Sequence, residues 1–188
     1  MAQEIEIEYK NLLKETEFHS LLAHLPFPQQ GKTQINYYFE TENFSLKKSG
    51  CALRIREKNN AYQLTLKEPH QHGLLETHDN LTKEEASQWI QGSKIEKEHT
   101  GRQLKDFGIN VEDLIYFGSL TTVRRELNYK DVLLVLDYST YNGQADFELE
   151  LEAPSVETGL SEFDYLLKTY AIPKRKTPNK IKRFFNTL

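Results

Sequence analysis

Glu4, Glu6, Glu8 and Lys10 occupy every second position near the start of the chain, with Ile5, Ile7 and Tyr9 between them. Side chains alternate faces along a β-strand, so this spacing sets three carboxylates side by side on one face and apolar groups on the other. If that face is enclosed, repulsion and desolvation raise the carboxyl pKa values unless a cation neutralises them. The same alternation recurs with either sign. Arg54 and Arg56 alternate with Leu53 and Ile55, and Thr65 and Lys67 with Leu64 and Leu66. Thr122, Arg124 and Glu126 alternate with Val123 and Leu127, Arg125 being an exception on the apolar side. Glu148, Glu150 and Glu152 alternate with Phe147, Leu149 and Leu151, while Asp137 stands alone between Leu136 and Tyr138.

The chemistry of such a set is specific. Arginine grips phosphate oxygens through paired N–H groups, which suits Arg54, Arg56 and Arg124, whereas Lys10 and Lys67 act as point charges. Hard divalent ions such as Mg²⁺ or Mn²⁺ take carboxylate oxygens. Carboxylates opposed to guanidinium groups therefore suit a polyphosphate bridged to metal. Phosphoryl transfer asks for little more than positioning and charge stabilisation. A half-exposed antiparallel sheet with one wet face accounts for any single strand of this kind. It does not account for the set, because whole strands are nearly pure acid or pure base, and like charges two apart need counter-ions. The pattern predicts an α+β fold built on a closed barrel with a charged lumen and flanking helices.

Several elements must position these groups. Strands are expected at 34–41, 119–128, 132–138 and 146–152, and a hairpin at 52–58 and 61–68 around Asn59-Asn60. A short strand is expected at 74–78, and 111–117 reads as a separate short element. Helices are expected at 11–25, where Leu12, Leu13, Phe18, Leu21, Leu22 and Leu25 recur at helical spacing, and at 157–170. Thr82-Lys83-Glu84-Glu85 has capping-box spacing ahead of Trp89, 93–107 reads as a further helix, and Pro178 could open a last one.

Composition narrows the class. With 188 residues the chain is expected to form one domain, 1–188, large enough for a sizeable core. Ten Phe and ten Tyr argue against disorder despite 28% charged residues. A formal net charge of −4 gives no general attraction to nucleic acid or anionic membranes, so any anionic substrate must be met by local arrangement. The single Cys51 permits no intramolecular disulfide and suits a reducing compartment. No apolar run approaches ~20 residues, and the first residues lack a secretory pattern. These features predict a cytoplasmic protein without membrane or nucleic-acid partners; oligomeric state is left open. The histidines lack zinc-type spacing, so His70, His72, His78 and His99 are expected at the surface.

Glu6-Ile7-Glu8-Tyr9-Lys10 resembles the ExExK signature of the CYTH superfamily, the triphosphate tunnel metalloenzymes. The resemblance extends in order through Leu53-Arg54-Ile55-Arg56, Leu66-Lys67, Thr122-Val123-Arg124, Leu136-Asp137, the Glu148 to Glu152 strand and a late Lys180. It is strongest to a small bacterial branch whose members are often labelled putative adenylate cyclases. It implies an eight-stranded antiparallel tunnel that hydrolyses the terminal phosphate of an inorganic, nucleoside or organic triphosphate with Mg²⁺ or Mn²⁺. By the resemblance, Glu6, Glu8, Asp137, Glu148 and Glu150 serve metal and water, with Glu8, Glu150 and Lys10 closest to the chemistry. Lys10, Arg54, Arg56, Lys67, Arg124 and Lys180 hold the triphosphate. Glu4 and Glu152 lie between lining and rim, Glu40 and Glu76 are weaker candidates, and Arg183 could share the face of Lys180. Class IV adenylate cyclases of the same superfamily often carry His-Phe ahead of the acidic motif, which Met1 to Gln3 do not supply. A cyclase and a non-catalytic polyphosphate or nucleotide sensor remain alternatives. Removing one acid from a repelling cluster, as in Glu150→Ala, is expected to leave the fold intact and could raise stability.

Overall fold

The structure is a computed structural model that describes residues 2–188; Met1, the first residue of the alternating opening, lies outside the described residues. Nine strands occur among the described residues: β1 (Gln3–Glu6), β2 (Glu8–Leu13), β3 (Lys32–Thr41), β4 (Ala52–Lys58), β5 (Ala61–His70), β6 (Gly73–Leu81), β7 (Leu114–Tyr129), β8 (Val132–Tyr141) and β9 (Gln144–Glu152). Helices are α1 (Glu15–His24), α2 (Ser45–Lys48), α3 (Lys83–Ile90), α4 (Glu98–Asp106), α5 (Val156–Thr169) and α6 (Lys180–Phe185). None is long and apolar enough to cross a membrane.

The hydrogen-bonded strand order is β1-β6-β5-β4-β3-β7-β8-β9-β2, an antiparallel sheet that upholds the α+β class. The expected closed ring of eight strands is corrected here to nine, with β1 and β2 as the end strands of that order. The extra strand arises because the alternating opening breaks at Ile7. Residues before the break neighbour β6, where His78 N–H donates to Ala2 O at 2.7 Å, and residues after it pair with β9. Alternation in sequence reports faces and is silent on neighbours, so one apparent strand could serve as two.

The chain divides into two compact units, residues 2–5 with Gln34–Leu120, and Glu6–Thr33 with Thr121–Leu188. In the first, the apolar parity of β3, β4 and β5 (Phe39, Leu53, Ile55, Leu64, Leu66) is buried with Trp89 of α3 and Leu104 of α4. In the second, Leu134, Leu136, Leu149 and Leu151 are fully buried with Phe18 and Leu21 of α1 and Phe163 and Leu166 of α5. Each such side chain contributes roughly 1.5–3 kcal/mol, which leaves the opposite face of the same strands to the ionic residues.

Three elements depart from expectation. The helix expected from Asn11 begins only at Glu15, because 11–13 continue β2 in register with Leu149, Glu148 and Phe147. The helix expected over 93–107 is confined to α4, where the Asp79 carboxylate accepts from Thr100 N–H at 2.7 Å in the first turn. The elements expected at 111–117 and 119–128 merge into β7 through Gly118, whose φ of +138° suits a residue without a β-carbon. Glu40, a weak lining candidate, instead accepts backbone N–H groups of Thr41, Leu46 and Lys47 and so caps α2. The Thr82 capping box is present as expected.

Gly159 of α5 lies against the ring of Tyr9, whose hydroxyl donates to Val156 O at 3.0 Å. A β-carbon at 159 would sit 2.9 Å from both Ala153 Cβ and Tyr9 Cδ2. Gly159→Ala gains about 1 kcal/mol of helix propensity but incurs about 1–3 kcal/mol of overpacking, so a net loss is expected. The check is a urea melt: the midpoint falls at unchanged slope, and a midpoint equal to or above wild type refutes this account of the packing.

Candidate functional site

In the second unit the sheet register lines up Arg124, Asp137 and Glu148 across β7, β8 and β9, and one row away sets Glu150 beside Lys10 of β2. Asp137 and Glu148 are fully buried and Glu150 is 6% exposed. The Arg124 guanidinium donates to both oxygens of Asp137 at 2.9 and 2.6 Å, and to Glu150 at 2.7 Å. Lys180, the first residue of α6, brings its ammonium 2.9 Å from Asp137, 3.0 Å from Glu148, and into direct contact with Glu150. Arg183, one helical turn on, pairs with Glu148 and donates to Asp146 at 3.0 Å. Lys10 pairs with Glu8 on its own strand.

Acids and bases thus interleave, and their ionisation follows. Burial pushes the Glu148 carboxyl up to about 7, even though Lys180 and Arg183 oppose it, because Glu150 adds like charge. Burial presses Glu150 the same way, but Lys180 and Arg124 outweigh it and hold this carboxyl well below its ordinary range. The two share a hydrogen bond and titrate as a pair. Burial depresses Lys180, yet Asp137, Glu150 and Glu148 reverse this and keep it charged. Lys10 is likewise raised by Glu8, Glu150 and Glu148 against its own burial.

This corrects the expectation that losing an acid here could raise stability. Glu150→Ala would leave Arg124 and Lys180 partly unpaired in a dry environment, a class of change that costs about 3–5 kcal/mol.

The first unit holds a second ionic set. Arg54 faces Thr65, Lys67 faces Glu76, and Thr65 faces His78 across β4, β5 and β6. Lys67 pairs with Glu76, and Arg54 Nη2 stands 4.0 Å from the same carboxylate. Arg56 Nε donates to Asn36 Oδ1 at 3.2 Å. His78, expected at the surface, is largely buried: its Nε2 lies 3.0 Å from Glu4 and 3.5 Å from Glu76, and its Nδ1 lies 3.0 Å from Thr65 Oγ1. Glu4, Glu76 and His78 offer ligand atoms within 4.8 Å of one another.

Of the residues marked by sequence, the structure brings Arg124, Asp137, Glu148, Glu150 and Lys180 together, and gathers Arg54 and Lys67 around Glu76. Glu6, half-buried, ends β1, and Glu8 begins β2. Glu76 and Arg183 prove more central than their sequence context suggested. Asp146, which shares the parity of Glu148, had a usable signal in that alternation and was missed.

Asp137, Glu148 and Glu150 converge on a single ammonium, and carboxylate oxygens are the donors that Mg²⁺ and Mn²⁺ take. By the chemistry of its donors this set suits a hard divalent ion, while among the described residues the group whose ligand atoms lie within 4.8 Å of one another is Glu4, Glu76 and His78.

The CYTH domain family matches residues 4–185. A Bacillus subtilis (strain 168) protein named "Putative triphosphatase YjbK" is 44% identical over 186 residues, covering 98% of this chain and 96% of its own. A crystal structure described as a putative adenylate cyclase from Bacillus halodurans superposes with a TM-score of 0.95 at 41% identity, covering 98% of this chain and 100% of that one. A Hippeastrum protein described as a putative adenylyl cyclase with a dominant triphosphatase activity gives 0.78 at 26% identity, covering 97% and 96%.

The ionisation of Glu148 has a measurable consequence in metal-free protein. Its folded pKa of about 7 exceeds the ordinary 4.5, so between these values the native state holds an extra proton and stability falls as pH rises. The opposite shift of Glu150 acts below that window. Urea melts with chelator at pH 5, 6 and 7 should show this slope in wild type and a flatter one in Glu148→Gln. Equal slopes would refute the assignment.

Proposed function

This chain belongs to the CYTH domain family, and on that premise we propose that it is a metal-dependent triphosphatase that removes the terminal phosphate of an inorganic, nucleoside or organic triphosphate. The family match spans both units, so the proposal treats 1–188 as one catalytic domain and includes the charged tunnel that the resemblance implies. The observation that carries it is the buried cluster of Asp137, Glu148 and Glu150 with Arg124 and Lys180. Desolvating so many charges stabilises a fold poorly, whereas moving charge on a phosphoryl group needs such groups fixed in place.

On this reading Lys10, Arg54, Arg56, Lys67, Arg124 and Lys180 bind phosphate oxygens, and Glu6, Glu8, Asp137, Glu148 and Glu150 hold the ion and orient water. A bound Mg²⁺ or Mn²⁺ would supply Lewis acidity toward the phosphate and lower the pKa of its water. Water oxygen bonds to the terminal phosphorus as the bridging P–O bond breaks, and a carboxylate takes the water proton. Glu8 and Glu150 are the candidates for that carboxylate. The support is the 44% identity to a protein named "Putative triphosphatase YjbK" and the triphosphatase activity described for the 26% identical Hippeastrum relative.

A phosphate-release panel over tripolyphosphate, ATP, GTP and thiamine triphosphate, each with Mg²⁺ and Mn²⁺, tests the proposal. Release of inorganic phosphate is the expected result. Cyclic nucleotide and pyrophosphate from ATP would replace it with the cyclase reading that the name of the 41% identical relative suggests. Binding without turnover under either metal would leave a sensor. Arg54→Ala and Glu150→Gln should each lower kcat/KM by roughly 100-fold or more, the scale of losing one preorganised stabilising group. Normal turnover in both variants overturns the site.

A further inference from the structure

Between α5 and α6 the chain runs without regular structure through 173–179, and this strap lies along β2. Its anchor is Asn11, a fully buried amide on the apolar parity between Tyr9 and Leu13. Asn11 Oδ1 accepts from Arg175 N–H at 2.6 Å, and its Nδ2 donates to Pro173 O at 3.0 Å and to Leu12 O at 3.1 Å. The amide offers two N–H donors and a carbonyl oxygen with two lone pairs, and the strap and Leu12 take both donors and one lone pair. A second tie follows at once: Leu12 N–H donates to Thr177 Oγ1 at 2.9 Å. Arg175 completes the seat through paired bonds of 2.7 Å to Glu17 of α1.

The strap ends where α6 begins, and the first residue of α6 is Lys180. Only four residues lie between Arg175 and Lys180, so the tie at Asn11 acts over a short leash. A one-residue slip would displace the chain by about 3.3 Å. The Lys180 ammonium stands 2.9 Å from Asp137 and 3.0 Å from Glu148, and a slip of that size would break both contacts. Asn11 also directly follows Lys10, so the strand that sets Lys10 beside Glu150 fixes the strap as well.

We infer that Asn11 is a positioning residue for Lys180: its amide fixes the register of the 173–179 strap and thereby places the ammonium that engages the carboxylates and, on the reading above, the triphosphate. Asn11 touches no reacting atom and acts through Lys180.

The test is a double-mutant cycle with Asn11→Leu and Lys180→Met, read by kcat and KM for tripolyphosphate with Mn²⁺. Trypsin cleavage within 174–183 of the free protein reports release of the strap. Asn11→Leu should raise KM roughly ten-fold with a smaller change in kcat, the scale of losing a buried hydrogen-bonding group. It should also expose the strap to trypsin. In the Lys180→Met background the same substitution should add almost nothing to KM while still speeding cleavage. Thr177→Val, half-buried, keeps the test alive should Asn11→Leu fail to fold, and should move KM and cleavage the same way by less. An equal rise in KM in both backgrounds would overturn the positioning role, as would an unchanged KM and unchanged cleavage. Wild-type protein that neither binds nor cleaves tripolyphosphate would overturn the triphosphatase reading instead, and trypsin would still report whether Asn11 holds the strap.

Discussion

One ammonium group, that of Lys180, stands against three carboxylates that water barely reaches. Removing ions from water costs several kcal/mol each, and only close pairing with good geometry recovers it. Much of the second unit reads as provision for that pairing. The guanidinium fork of Arg124 satisfies Asp137 and reaches Glu150, and Arg183 takes the remaining side of Glu148. Opposite this ionic face, Leu134, Leu136, Leu149 and Leu151 tie the same strands to α1 and α5. The core thus supplies the stability that the charged face does not, and it does so from alternate residues of the same strands.

The first unit gathers an ionic set of its own. Arg54 and Lys67 both approach Glu76, and His78 stands between that carboxylate and Glu4. Guanidinium and ammonium groups are the donors that phosphate oxygens accept, so on the proposed reading this set complements the carboxylates of the second unit.

Much of this was legible because period-two alternation is a direct consequence of strand geometry. The apolar and ionic parities of β4, β5, β8 and β9 fall as the sequence predicts. Residues 11–13 carry a helical signal because Leu12 and Leu13 recur with Leu21, Leu22 and Leu25, and Leu12 breaks the ionic parity of the opening strand; pairing with β9, which local spacing cannot report, overrides that signal. The strand count erred for a related reason: hydrogen-bonding partners leave no mark on alternation. Arg175 pairs with Glu17, a contact 158 residues away in sequence that no local pattern announces. His78 was misplaced because a lone histidine carries no signal until Thr65, Glu4 and Glu76 are brought beside it. Arg124 and Lys180 were singled out by resemblance as much as by pattern, Lys180 entirely so, since no alternation surrounds it.

The opposed shifts of Glu148 and Glu150 bear on how such a cluster could turn over. While Lys180 and Arg124 remain on Glu150, that carboxylate is a weak base, because the charges holding its pKa down also occupy its lone pairs. On the proposed reading the same two cations are wanted by the phosphate oxygens. As they are drawn toward substrate, their stabilisation of the carboxylate anion weakens and its proton affinity rises, so the base would gain strength when there is something to deprotonate water for. Burial pushes Glu148 the opposite way, up to about 7. The difference between these two neighbouring carboxyls is set by which cations each one touches.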